Sequence, residues 1–255
     1  MLSRALSIVG PALGGSVRLF CLPYAGGSAA SFAHWQQGLP PWVQLCLVEL
    51  PGRSWRFLEA FAHSVSDLAD ELAGELRDHA TVPCAIYGHS MGSLLAHEIA
   101  VRLEAFPGTQ LRKVLVSGSP APTRRQAASP PVSRYSDAEL MGLLTDMGGT
   151  VADVLADADL MRMILPRVRA DYALCENYRA AEAGTMRAPI TAIYGDQDRH
   201  AGQAEMVFWG ECSRGDFSLH GLPGGHFFIL EQEKALLALL AAELEDCRHF
   251  EARTG

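Results

Sequence analysis

The sequence predicts an α/β protein with a mostly parallel, doubly wound sheet, and three observations predict it. Short aliphatic runs recur along the chain, each closed by glycine or proline. Stretches of helical periodicity separate them, as parallel strands joined by crossover helices require. One run, Cys84-Ala85-Ile86-Tyr87, passes through Gly88-His89-Ser90-Met91-Gly92 directly into a helix-like segment over 93–101.

Taken in order, Val17-Arg18-Leu19-Phe20-Cys21-Leu22 is the first strong strand, stopped by Pro23-Tyr24-Ala25-Gly26-Gly27-Ser28. Ser28 is placed to cap a helix running towards Gln37, which Pro40-Pro41 cannot continue. Val43-Gln44-Leu45-Cys46-Leu47-Val48-Glu49-Leu50 is the second strand, closed by Pro51-Gly52. Val65, Leu68, Leu72 and Leu76 give the next helix one apolar face. After the Ser90 turn and its helix, Val114-Leu115-Val116 is a fourth strand, closed by Ser117-Gly118-Ser119-Pro120.

The rhythm then breaks, and residues from about 121 to 185 carry no strand pattern. Ser136-Asp137-Ala138-Glu139 is a capping box ahead of Leu140, Leu143, Leu144 and Met147 at helical spacing. Further helices are expected over 151–165 and 167–183. A helical excursion between two strands is expected to be a lid over the strand C-termini, where α/β sheets bind ligands, within one domain spanning 1–255. Ile190-Thr191-Ala192-Ile193-Tyr194 and Phe217-Ser218-Leu219 resume the sheet, and a helix over 229–244 closes it.

The bulk numbers exclude whole classes. A hydrophobic content of 49% with 20% charged residues is that of a globular protein, and no run approaches the length of a membrane span. A net charge of −8 argues against a nucleic-acid partner, which needs a basic surface. The first ten residues are mildly apolar but too short for a signal peptide, so a cytoplasmic protein is expected. None of the six cysteines stands in C-x-x-C spacing, so they read as small buried hydrophobes, with no metal site and no cofactor.

Gly88-His89-Ser90-Met91-Gly92 fits G-x-S-x-G, the strand-turn-helix nucleophile elbow of α/β-hydrolases. Glycines two positions either side of Ser90 remove side chains that a sharp corner would crush. A serine hydroxyl needs a base and a carboxylate to orient that base, in the chain order serine, acid, histidine. His226, behind Gly224-Gly225 at the start of the last helix, is the expected base. His220 falls within or just after the last strand and is expected to pack there, while His89 is expected to be scaffolding of the motif that points to the other side of the turn. Asp196 and Asp198 both follow the Ile190 strand; Asp198, deeper in the loop, is the expected acid, and Asp196 a turn residue bonding its own backbone. Two backbone amides must hold the oxyanion: Met91 after the nucleophile, and Ala25 in the turn after the first strand. A phosphate-cradling reading of that turn fails, because no G-x-x-x-x-G-K-[ST] is present.

Leu22 to Ser28, Leu50-Pro51-Gly52-Arg53, Tyr87 to Gly92, Gly195-Asp196-Gln197-Asp198 and Gly224-Gly225-His226-Phe227-Phe228 together resemble the stand-alone type II thioesterases of polyketide and nonribosomal peptide synthesis. The resemblance covers about residues 17 to 245. It implies an α/β-hydrolase fold with a helical lid, and hydrolysis of acyl groups from the phosphopantetheine arm of acyl or peptidyl carrier proteins. Ser90, Asp198 and His226 fall on the triad positions and Ala25 and Met91 on the oxyanion positions. Tyr24, where the family often has histidine, is an expected substrate contact, and Arg199-His200 follows the acid where proline is common. Carrier docking would call for a local basic patch, for which Arg124, Arg125, Arg167 and Arg169 are candidates. The alternatives are a product-releasing thioesterase or an esterase on the same fold, or a receptor that binds without turnover.

Overall fold

A computed structural model of the chain describes residues 3–10, 16–125, 129–149, 152–179 and 185–248. Seven strands form one sheet: β1 (Leu6–Val9), β2 (Val17–Leu22), β3 (Val43–Val48), β4 (Cys84–His89), β5 (Leu111–Ser117), β6 (Ile190–Gly195) and β7 (Phe217–Leu222). Their spatial order is β1-β3-β2-β4-β5-β6-β7, with β1 antiparallel to β3 and every other pair parallel. The expected mostly parallel sheet is therefore present, with the antiparallel edge strand β1 added. Four residues of weak alternation gave no sign of β1; its pairing with β3, Leu6 opposite Val48, supplies what local sequence does not.

β3 and β4 are buried along their whole length, because helices cover both faces of the sheet. On one face α1 (Val65–Leu76) and α2 (Met91–Leu103) pack Leu68, Leu72, Leu95 and Ile99 against Phe20, Ile86 and Val114. On the other, α8 (Glu233–Arg248) packs Leu236, Leu240 and Leu244 with Phe32, Trp35, Tyr87 and Leu115. The segment after Ser28 is a 3-10 helix, Ala29–Gln37, and buries Phe32 and Trp35 in this second core.

Between β5 and β6 the described residues form α3 (Asp137–Met147), α4 (Ala152–Ala156) and α5 (Ala158–Asn177). The Ser136 capping box is made as expected, Glu139 N–H donating to Ser136 Oγ at 3.3 Å and Ser136 N–H to Glu139 Oε2 at 2.7 Å. The two later helices expected here divide differently. One twenty-residue helix, α5, runs straight through Pro166, because Leu165 and Val168 on either side are anchored in a small core with Leu140, Leu144 and Met161. The expected third helix ends at Asn177, and residues 180–183 of its predicted span lie outside the described residues. Short helices α6 (Gln203–Met206) and α7 (Phe228–Glu231) follow β6 and β7.

Candidate active site

Ser90 stands between β4 and α2 with φ 55° and ψ −118°, a backbone conformation few non-glycine residues adopt. The surroundings hold it there. Its N–H donates to Ser117 O at 2.7 Å, and the Ser93 hydroxyl donates to Gly88 O (2.9 Å) and Ser117 O (2.8 Å), tying helix, strand and elbow together. A Cβ on Gly88 would lie 2.0 Å from Gly92 O, and one on Gly92 2.3 Å from Leu22 O. Both flanking glycines are thus required by backbone atoms that have nowhere to go.

Asp198 and His226 arrive from the neighbouring strand ends, β6 and β7. The two loops are joined by backbone: Gln197 N–H donates to Gly224 O and Asp196 N–H to Leu222 O, both at 2.9 Å. Asp196 Oδ1 accepts from Gly224 N–H at 2.9 Å, so its carboxylate fastens the histidine loop and does not bond its own backbone as expected. His226 Nδ1 meets Asp198 Oδ2 at 2.9 Å, with the two side chains 8% and 0% exposed. Asp198 Oδ1 accepts from His200 N–H (2.9 Å) and Ala201 N–H (3.2 Å), so Arg199-His200 in place of proline leaves the carboxylate well held. Burial alone would raise the Asp198 carboxyl, but these hydrogen bonds, His226 foremost, outweigh it and hold the group below its usual range. His226 Nε2 is buried with no hydrogen-bond partner.

The His226 ring lies 5.1 Å from the ring of His89, next in sequence to Ser90. This corrects the expected direction of His89 and leaves it as scaffolding of the motif. It is fully buried on the histidine side of the turn, with Nδ1 2.9 Å from Ser117 Oγ, and Phe227 and Phe228 also pack on it. Burial, reinforced by the charge of His226, pushes His89 well below the usual histidine range, so it is a neutral backing for that ring. His220 lies in β7, its Nε2 3.1 Å from Glu243 Oε1, away from the site as expected.

Ala25 and Tyr24 sit in the turn after β2, and Met91 is the first residue of α2. Tyr24 packs edge-on against Phe227 at 4.9 Å and His89 at 5.9 Å, so it borders the histidine. Two residues at this turn were not singled out as site residues. Arg53 and Asp171, each 3% exposed, form a bidentate pair whose carboxylate also accepts from Gly26 N–H. A signal was available: Asp171 interrupts an apolar stripe of Val168 and Leu174, where an acid is out of place unless paired.

The candidate docking arginines are mostly engaged. Arg124 lies over Phe208 and pairs with Glu211, Arg125 donates to Ser119 Oγ, and Arg169 reaches Asp137 and the carbonyls of Ser133 and Tyr135. Arg167 Nε alone is buried without a partner. A groove of about 900 Å³ lies at the N-terminal ends of β5, β6 and β7, the end of the sheet remote from Ser90. Among the described residues no cluster of histidine, cysteine, aspartate or glutamate is arranged to hold a metal, and no helix is long and apolar enough to cross a membrane.

A mostly parallel sheet with a serine elbow after one central strand, and an aspartate and then a histidine after two later strands, defines an α/β-hydrolase. The family model for the thioesterase domain matches residues 17–244, and the chain belongs to that family. Among curated relatives, "Linear gramicidin dehydrogenase LgrE" of Brevibacillus parabrevis is 35% identical, covering 90% of this chain and 88% of its own. "Thioesterase PikA5" of Streptomyces venezuelae is 34% identical, covering 87% and 79%. The solved structure of the type II thioesterase BorB from the borrelidin biosynthetic cluster is 38% identical, covers 94% of this chain and 97% of its own, and superposes with a TM-score of 0.86.

Proposed function

We propose that this chain is a cytoplasmic serine thioesterase that hydrolyses acyl groups from the phosphopantetheine arm of an acyl or peptidyl carrier protein, clearing stalled or aberrant chains in polyketide or nonribosomal peptide synthesis. One observation carries the chemistry: His226 is fixed through Nδ1 by Asp198, leaving Nε2 buried and unpartnered, with its ring 5.1 Å from that of His89, the residue before the strained Ser90. Solved structures titled as type II thioesterases of the borrelidin biosynthetic cluster and of the yersiniabactin NRPS/PKS biosynthetic pathway support the carrier-bound substrate. The name of LgrE raises hydride transfer as a second reading, but this sequence holds no G-x-G-x-x-G to cradle a dinucleotide.

In this reading His226 Nε2 takes the Ser90 proton as Oγ attacks the thioester carbon. The Ala25 and Met91 amides receive the oxyanion, each worth about 3–4 kcal/mol of barrier. Asp198 stays ionised and steadies the imidazolium. Collapse breaks the C–S bond, and His226 hands its proton to the departing thiolate. Water, deprotonated by the same Nε2, then attacks the acyl-serine; the carboxylic acid leaves and Ser90 recovers its proton. A thioester brings its own activated carbonyl and leaving group, so the scheme calls on no cofactor.

Comparing one acyl group on a carrier protein, on coenzyme A and in a small oxygen ester tests the substrate class. The highest kcat/KM is expected on the carrier; a preference for the small ester would refute the carrier assignment.

A further inference from the structure

The Arg53–Asp171 pair sits at the turn that carries Ala25, and it is built from three segments far apart in sequence. Asp171 Oδ1 accepts from Arg53 Nη2 at 2.7 Å, and Oδ2 accepts both Arg53 Nη1 at 2.9 Å and Gly26 N–H at 2.8 Å. Arg53 Nη1 also donates to Gly27 O at 3.0 Å, and its Nε to Pro51 O at 3.3 Å. The turn is therefore held on both sides of Gly26: the Gly26 N–H by Asp171 and the Gly27 carbonyl by Arg53. α5 presses on the same residue, since a Cβ on Gly26, whose φ is +78°, would lie 2.7 Å from Val168 Cγ2.

Stability alone is a weak reason for this arrangement. Desolvating two charges costs about what their attraction returns, and an apolar pair of similar volume commonly serves as well or better. An apolar pair cannot accept the Gly26 N–H. We propose that Asp171, oriented by Arg53, is a positioning residue for the hydrolytic reaction. It fixes the Gly26 peptide and so aims the preceding Ala25 amide at the oxyanion. The inference rests on the thioesterase reading above. It makes α5 a fixed wall of the site, because withdrawing the helix would strand a buried guanidinium and release the oxyanion turn.

The test is steady-state hydrolysis of a short acyl-N-acetylcysteamine thioester, with melting temperatures measured in parallel. The variants are Ser90→Ala, Asp171→Asn, Arg53→Lys, and the double replacement Arg53→Met with Asp171→Leu. The double variant keeps its fold without a stranded charge, so its melting temperature stays near that of the parent while kcat falls about tenfold to a hundredfold, with KM within about twofold. Arg53→Lys, which leaves Asp171 to accept Gly26 N–H, retains most of kcat. Asp171→Asn keeps the volume but must divide one good acceptor between Gly26 and Arg53. It loses about tenfold in kcat, and it decides the matter if the double variant does not fold. Turnover that Ser90→Ala abolishes but that folded Asp171 variants leave at the parental kcat would overturn the positioning role alone. Turnover that survives Ser90→Ala would overturn the thioesterase reading and this proposal with it.

Discussion

Replacing Asp198 with asparagine exchanges one carboxylate oxygen for an NH2 group and should nearly stop the reaction. The outcome follows from which oxygen is held by what. Oδ1 accepts two backbone amides, those of His200 and Ala201, so an asparagine places its carbonyl oxygen there. Its NH2 then occupies the position of Oδ2, 2.9 Å from His226 Nδ1. Nδ1 must become an acceptor, the ring proton moves to Nε2, and Nε2 no longer takes the Ser90 proton. The volume is unchanged and the Asp198 side chain is fully buried, so no water replaces the lost charge. A fall in kcat of about 10³–10⁴ is expected, or about 4–5.5 kcal/mol, with KM little changed. The partner experiment is Asp196→Asn, which keeps an oxygen for Gly224 N–H and should cost less than about fivefold. Both are assayed on an acyl-loaded carrier protein by release of free acid. An Asp198→Asn variant within tenfold of the parent, or a larger loss in Asp196→Asn, would refute the assignment of the acid.

Other perturbations read other parts of the account. Gly92→Ala pushes a methyl to 2.3 Å from Leu22 O and 2.9 Å from Pro23 O, both backbone; a loss of about 3 kcal/mol, or about 6–12 °C in melting temperature, is expected. An unchanged melting temperature would refute the crowding at the elbow. Tyr24→Ala removes ring contacts to Phe227 and His89 and should lower kcat/KM about two- to tenfold, with Tyr24→His losing less. Glu98 is buried on α2, which raises its carboxyl, yet contacts with His97, Tyr178 and Arg102 prevail and bring it from 4.5 down to about 2. A depressed carboxyl stabilises the fold above its unfolded value and ceases to do so as pH falls through the folded one. Glu98→Gln should therefore melt below the parent at pH 7, and the gap should close between pH 4.5 and 2. A gap that is constant over that range would contradict the linkage.

The sheet, and the loops that carry the candidate residues Ser90, Asp198 and His226, were legible in the sequence for a local reason. Each of Ser90, Asp198 and His226 follows an apolar run and sits among glycines, so strand, turn and residue type are written side by side. What was not legible depends on contacts across the chain. β1 exists because β3 offers an edge, and α5 continues through Pro166 because its neighbours are already packed. His89 was assigned the wrong side of the turn: alternation along a strand says little at a corner with φ 55°. Asp171 lies 145 residues from Gly26, and no spacing rule links them; only the oddity of an acid in an apolar stripe hinted at a partner.

In the proposed reaction Ser90 carries the acyl group between a carrier-bound thioester and water. Mass spectrometry of the intact protein, quenched during turnover of an acyl-carrier substrate, tests it most directly. An acyl adduct is expected on the peptide containing Ser90, accumulating when His226→Ala slows its hydrolysis and absent in Ser90→Ala. Free acid released by Ser90→Ala at the parental rate, or an adduct on another residue, would contradict it.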